Sequence, residues 1–88
     1  VERSRGLGDV YKRQEERTYV RELSVALNAF LATEAALDRK IFVSRYFYCE
    51  TTAQTAEKLG LTQGQVKVRL HRCRERLRKY LRSQEFDL

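Results

Sequence analysis

The fold is decided by residues 51–83, which read TTAQTAEKLGLTQGQVKVRLHRCRERLRKYLRS. The pattern Thr-x-x-Gln occurs twice in this stretch, at residues 51–54 and at residues 62–65, and each copy can cap the N-terminus of a helix. Gly60 lies between the two copies and suits the left-handed position that follows the last turn of a helix. The stretch therefore predicts a short helix, a tight turn and a long helix in succession.

The short helix is expected over about residues 52–59, and the long helix opens at Thr62 and extends to about Ser83. The small residue Ala56 lets the two helices approach closely, and Val66 anchors the second helix against the first. These residue types meet the steric needs of two helices packed across a tight turn, which is the pattern of the helix-turn-helix motif.

Two further helices are predicted upstream, from apolar residues that recur at three- and four-residue steps. The first runs from about Glu15 to Ala32 and has Tyr19 and Val20 on its apolar stripe. The second covers about residues 35–48, and its apolar end, including the three aromatic residues that close it, is expected in the core.

Positive charge is concentrated on the long helix. Residues 66–82 hold eight Lys or Arg and one Glu, whereas the rest of the chain holds ten basic and eleven acidic residues. Such clustering favours a polyanion-binding surface, because a generally basic protein would spread its charge. The apolar residues of this helix, from Val66 to Leu81, fall within about 80° of one another, so the opposite face is open for contact.

That opposite face is richest in polar residues near the N-terminal half of the helix, the half that enters the DNA major groove in a helix-turn-helix. Lys67 and Arg72 can contact phosphates or guanine. Gln63 and Gln65 can read adenine or bond phosphate, and Val68 can touch a thymine methyl group. We therefore expect double-stranded DNA as the ligand of this face.

Other residues complete the expected interface. Gly64 would let the backbone approach the duplex closely. Arg69 and Arg76 flank the core, where their stems can pack while their guanidinium groups reach phosphate. The N-terminus of the short helix offers backbone N–H groups and hydroxyls to a phosphate. The full set of expected DNA contacts is Thr51, Thr52, Thr62, Gln63, Gln65, Lys67, Val68, Arg69, His71, Arg72 and Arg76.

Catalytic, metal and membrane functions are not expected. There is no nucleophile–base–acid set and no glycine-rich phosphate loop, so we expect neither an enzyme nor a cofactor. His71 and Cys73 offer two potential ligands where structural zinc needs four. Cys73 lies on the apolar stripe and is expected to be buried, and Cys49 is expected to be exposed. No apolar stretch approaches the ~20 residues of a membrane span.

One domain is the limit for a chain of 88 residues, at ~100–200 residues per domain. We expect an all-α, four-helix domain over residues 15–83 that ends in the helix-turn-helix, a winged-helix-like DNA-binding superfold with no wing. Residues 1–14 are expected to form a linker or a non-native disordered arm, and residues 84–88 a frayed tail. Glu34 and Asp38 are expected to be surface charges.

Three blocks of the chain closely resemble region 4 of bacterial RNA polymerase sigma factors. They are IFVSRYF at residues 41–47, AEKLGLT at residues 56–62 and VKVRLHRCRERLR at residues 66–78. The extracytoplasmic-function group is the one they resemble most. The resemblance covers about residues 27–81, and the last block is its most specific part.

The resemblance implies a domain that recognises the −35 promoter element and docks on the flap of the RNA polymerase β subunit. It implies promoter DNA, core polymerase and an anti-sigma factor as partners, at the nucleoid in the bacterial cytoplasm. Thr55 stands where this family usually has an aliphatic residue and Cys73 where it usually has alanine, and both changes concern packing. The family's DNA-reading segment falls on Thr62, Gln63, Gln65, Lys67, Val68, Arg69, His71 and Arg72.

Two other interpretations fit parts of the pattern. A response-regulator-type helix-turn-helix shares the Ala-Gly-Val spacing, but it would read a palindrome as a dimer and need no polymerase. A helical protein–protein module would bind acidic partners through the same basic face. The arginine-rich stretch after Val66 favours the sigma-factor interpretation over the first alternative.

Overall fold

The computed structural model describes the backbone of residues 2–86 and the side chains of residues 16–86. Within that part of the chain the regular structure is entirely helical. The four helices are α1 (Glu2–Thr33), α2 (Ala36–Tyr46), α3 (Thr52–Leu59) and α4 (Gln63–Ser83). The predicted all-α class with four helices is confirmed, and α3 and α4 lie where the capping signals predicted them.

The core forms around α4, which packs against each of the other three helices. Its apolar stripe is buried as predicted except at Leu77, which is partly buried. Fully burying a valine or leucine side chain contributes about 1.5–3 kcal/mol. Thr55 of α3 is 1% exposed in the same region, and its hydroxyl has no hydrogen-bond partner among the described residues. The buried cluster consists of Phe30, Leu31, Ile41, Phe42, Ala56, Val66, Leu70 and Cys73.

Helix α3 is fixed at both ends by local hydrogen bonds. The Thr51 hydroxyl accepts the Gln54 N–H at 3.1 Å, and the Gln54 side chain accepts the Thr51 N–H at 2.8 Å, so the predicted capping box is present. Gly60 ends α3 with φ of 68°, in the left-handed region. The next residue, Leu61, donates its N–H to the Ala56 carbonyl at 2.9 Å. These bonds set the direction in which α4 leaves α3.

Helix α1 starts at Glu2, well before the predicted start near Glu15. Its core contacts begin only near Ala26, and Tyr19 and Val20 are 43% and 58% exposed. The prediction that Tyr19 and Val20 lie on a buried stripe is wrong, because α1 is longer than the helices that could cover it. The division into an arm over residues 1–14 and a domain over residues 15–83 stays a prediction.

Residues 84–86, part of the predicted frayed tail, contact the end of α4, and the fraying itself stays a prediction. Phe86 donates its N–H to the Leu81 carbonyl at 3.0 Å, and its ring meets the Tyr19 ring edge to face, with centroids 5.8 Å apart. Residues 84–86 therefore form a cap on the helix end. Residues 87 and 88 of that predicted tail lie outside the described residues.

The aromatic residues at the end of α2 are exposed, although the sequence predicted them in the core. Tyr46, Phe47 and Tyr48 are 45%, 57% and 68% exposed. Helix α2 ends at Tyr46, and Cys49 takes a left-handed φ of 53°, so the following residues leave the helical periodicity. Ser44, at 2% exposure, occupies a buried position of α2 instead.

Candidate nucleic-acid interface

The outer face of α4 is an open surface. Gly64, Lys67, Val68, His71 and Arg72 recur along it at three- and four-residue steps, and all of them are exposed. Val68 is 48% exposed although it is apolar and β-branched, so the core does not use it. The structure thus brings these predicted residues together on one face, and their contact with DNA stays a prediction.

The N-terminus of α4 presents backbone donors beside this face. The Thr62 hydroxyl accepts the Gln65 N–H at 3.1 Å, and the Gln65 side chain accepts the Thr62 N–H at 2.9 Å. The N–H groups of Gln63 and Gly64 have no acceptor among the described residues. Open N–H groups at a helix N-terminus favour an anion, because the helix dipole adds to the hydrogen bonds.

Three of the predicted contact residues, Thr51, Thr62 and Gln65, are used in helix caps, which limits their contacts with DNA. The side-chain oxygen of Gln65 already accepts a backbone N–H, so reading adenine with both amide atoms would disturb the cap. The Thr51 oxygen is likewise an acceptor in the α3 cap, and its hydroxyl proton remains available to an anion. Thr52, in the first turn of α3, is half-buried. Gln63 is exposed and has no such constraint.

Two arginines of α4 are paired with carboxylates from the first half of the chain. Arg69 Nη1 lies 3.1 Å from Asp38 Oδ1. Arg76 contacts Glu34 through Nη2 at 2.9 Å and through Nε at 3.0 Å, and its Nη2 lies 3.6 Å from Asp38. The carboxylate side chains are only 10% and 14% exposed, and the hydrogen bond that Arg76 donates to Glu34 raises the pKa of Arg76. We call these four residues the ion-pair cluster.

The cluster corrects one expectation and adds a restraint on two arginines whose contact with phosphate stays a prediction. Glu34 and Asp38 are not surface charges, because both are largely buried against arginines. The guanidinium groups of Arg69 and Arg76 are held by these carboxylates, where the sequence predicted them to extend to phosphate. Their side chains are still 43% and 45% exposed, so one side of each remains open to solvent.

A groove of about 540 Å³ joins the outer face of α4 to the ion-pair cluster. It therefore combines the α4 N-terminus, Arg72 and the two paired arginines in a single concave surface. Its lining residues are Asp38, Thr62, Gly64, Gln65, Val68, Arg69, Arg72 and Arg76.

Pairing reduces the charge that α4 can offer to an anion. Of the eight basic residues between positions 66 and 82, two are paired in the cluster and Arg78 lies 3.3 Å from Glu75. Arg74 donates to the neutral Tyr46 hydroxyl at 3.1 Å. Lys67 and Arg72 have no hydrogen-bond or ion-pair partner in the described part of the chain, and they are the unpaired cations of the outer face.

The comparison with protein families agrees with this geometry. Residues 35–77 match the family model described as Sigma-70, region 4. We call this stretch the region 4 segment; it spans just under half of the chain and contains α2, α3 and most of α4. This segment is similar to region 4 of sigma-70 factors, and its helices α3 and α4 form a helix-turn-helix. No curated protein sequence matches the chain.

The region 4 segment excludes Glu34, so the ion-pair cluster ties it to α1 across its boundary. Sequence reasoning missed this cluster. The sequence predicts Asp38 only as a surface charge, and the structure places it in the first turn of α2. Its partner Arg69 follows 31 residues later, and no periodicity links two residues on different helices.

The two cysteines of the chain differ in burial. Cys73 is 1% exposed, and burial raises the pKa of its thiol to about 12, with the Glu34 carboxylate acting in the same direction. The thiol is therefore protonated at neutral pH and a poor nucleophile. Cys49 is exposed, and the structure shows both thiols free. Among the residues searched, no group could hold a metal ion and no helix is long and apolar enough to cross a membrane.

Proposed function

We propose that this domain binds the −35 element of promoter DNA through the outer face of α4, as part of a sigma factor that directs RNA polymerase in transcription initiation. The supporting observation is the open face of a sigma-70 region 4 helix that carries Lys67 and Arg72 unpaired, next to a helix N-terminus with open N–H groups. A helix of this kind fits the width of the DNA major groove.

The contacts divide into two kinds. The N-terminal N–H groups of α3 and α4 and the hydroxyls of Thr51 and Thr62 bind phosphates and set the register of the helix. Lys67 and Arg72 donate to phosphate or to guanine, and Val68 touches a thymine methyl group. Gln63, whose amide is not used in a cap, is better placed than Gln65 to read a base with both amide atoms.

The proposal includes the subgroup of sigma factors to which the domain belongs and the proteins that it binds. The resemblance of residues 66–78 supports the extracytoplasmic-function group, and with it the β flap of core polymerase and an anti-sigma factor as partners. Phe47 and Tyr48 are exposed outside the α4 groove and give such a protein partner an apolar surface. A domain with these partners acts at the nucleoid in the bacterial cytoplasm.

The test starts from a random duplex library selected for binding to the full chain, with and without core polymerase. Affinity for the selected duplex is then measured by fluorescence anisotropy over a series of salt concentrations. Lys67→Ala and Arg72→Ala should each weaken binding by about 1–3 kcal/mol where the side chain reads a base. Where the side chain contacts a phosphate instead, the slope of log K against log salt should become shallower by about 0.9, because one phosphate contact is lost.

Arg21→Ala is the matched control, because Arg21 is exposed on α1 outside the region 4 segment and the change removes the same charge. It should leave affinity and slope close to the values of the unmodified chain. Unchanged binding by the Lys67 and Arg72 variants at matched salt would remove them from the interface. Binding of two copies of the chain to a palindromic duplex, with an affinity that core polymerase does not raise, would support the response-regulator alternative. Binding to an acidic peptide but to no duplex at low salt would support the protein–protein alternative.

A further inference from the structure

The ion-pair cluster lies in the wall of the groove that the proposed function assigns to DNA. Asp38, Arg69, Arg72 and Arg76 all line this groove, together with the N-terminal residues of α4. Asp38 is therefore a carboxylate beside the surface that phosphates approach. Its two oxygens are divided between the arginines, with Oδ1 at 3.1 Å from Arg69 and Oδ2 at 3.6 Å from Arg76.

The two arginines are held to different degrees. Arg76 has the stronger anchor, because Glu34 accepts from both its Nε and its Nη2 at 2.9–3.2 Å in a bidentate pair. Arg69 has one partner only among the described residues, Asp38, through a single Nη1 contact. A change at Asp38 therefore frees Arg69 while Glu34 still holds Arg76.

Of the two arginines in the cluster, Arg69 lies at the same level along α4 as the residues of the outer face. It follows Lys67 and Val68 directly and precedes Arg72 by three residues, which is one turn of helix. Its side chain is 43% exposed, so an unrestrained guanidinium has solvent-filled space in the groove into which it can turn. What keeps it from the phosphates is its pairing with α2.

We infer that Asp38 is a positioning residue that restrains Arg69 and so limits the affinity of the domain for DNA. The inference rests on the proposed function. The charge of Asp38 cancels that of Arg69 at the edge of the DNA surface, and their pairing holds the guanidinium against α2. Arg69 then adds no phosphate contact of its own, and discrimination between duplexes depends more on the side chains that reach bases.

The experiment is a double-mutant cycle in the full chain, with Asp38→Asn, Arg69→Ala and the double variant. Asparagine keeps the size and the acceptor of the side chain but removes the charge that holds Arg69. Asp38→Asn should make the slope of log K against log salt steeper by about 0.9 and raise affinity about eightfold at 0.1 M salt, the effect of one added phosphate contact. Arg69→Ala alone should change affinity less than twofold, and in the double variant the gain should disappear.

Glu57→Gln is the control for net charge, because Glu57 is an exposed carboxylate of α3 outside the cluster. It should leave the salt slope unchanged. Circular dichroism melting of each variant shows whether it is folded. An unfolded variant would bind the duplex more weakly, whereas the inference requires Asp38→Asn to bind it more tightly. An unchanged slope in Asp38→Asn, or a gain that persists without Arg69, overturns the inference while the chain still binds DNA. Absence of duplex binding by the unmodified chain overturns the proposed function instead.

Discussion

The two glycines near the turn should respond in opposite ways when each is replaced by alanine. At Gly60 an added Cβ would meet no atom within 4 Å, so the cost comes only from the φ of 68°. A left-handed residue with a side chain costs about 1–2 kcal/mol, and the reduced freedom of the unfolded chain returns about 0.4–1 kcal/mol. Gly60→Ala should therefore lower the free energy of unfolding by about 1 kcal/mol.

At Gly64, replacement by alanine should stabilise the folded domain. Its φ lies outside the left-handed region, and an added Cβ would meet only the Thr62 hydroxyl oxygen, at an ordinary contact distance of 3.9 Å. Alanine is up to about 1 kcal/mol better than glycine inside a helix, and somewhat less in the first turn. Gly64→Ala should therefore stabilise the domain by about 0.5 kcal/mol. The same methyl group would stand between the α4 backbone and a bound duplex.

The assay pairs thermal or urea unfolding with the anisotropy titration. Gly60→Ala should lower Tm by about 4–8 °C and keep its affinity for the selected duplex at temperatures where it is folded. Gly64→Ala should melt at or above the temperature of the unmodified chain and bind DNA roughly 1–3 kcal/mol more weakly, the size of a lost base contact. A Gly64→Ala variant with full affinity would show that the backbone of α4 does not approach the duplex closely. That result would refute the proposed docking of this helix.

Two further predictions concern the core. Thr55→Val should raise the free energy of unfolding by about 1 kcal/mol, because it removes a buried hydroxyl that has no hydrogen-bond partner among the described residues. A lower stability of this variant in urea unfolding would mean that the hydroxyl is hydrogen-bonded. The pKa of Cys73 is raised from 9.0 to about 12 in the folded state, so above pH 9 the thiol ionises only in the unfolded chain. The free energy of unfolding should therefore be constant below pH 9 and lower by about 1 kcal/mol at pH 10. Cys73→Ala should lack this component between pH 8 and pH 10, and equal pH dependence in both proteins would contradict it.

The features that were predicted correctly have local causes. Each capping box involves two residues three positions apart, and the glycine at the end of α3 meets the backbone requirement of a single position. The buried stripe of α4 follows from helical geometry once the helix is assigned. The outer face is then defined as the remainder of the same cylinder, so its exposed residues could also be predicted.

The errors arise where a helix meets, or fails to meet, a distant element. Tyr19 has the right spacing for a buried stripe, but no helix extends far enough to cover it. Phe47 follows an apolar helix, but the chain turns at Cys49 and leaves its ring in solvent. The pairing of Arg76 with Glu34 joins residues 42 positions apart, and the sequence marks neither as a partner of the other.

These distant contacts change how the charge of α4 should be understood. Eight basic residues in the sequence suggest a slope of log K against log salt of about −7 if all neutralised phosphates. Within the described side chains, three of them are paired with carboxylates and five are not, which gives at most about −4.5. Of these five, only Lys67 and Arg72 lie on the outer face at the N-terminal half of the helix. Binding through this half alone should depend on salt still less, so hydrogen bonds from the helix N-termini and base contacts must supply more of its affinity.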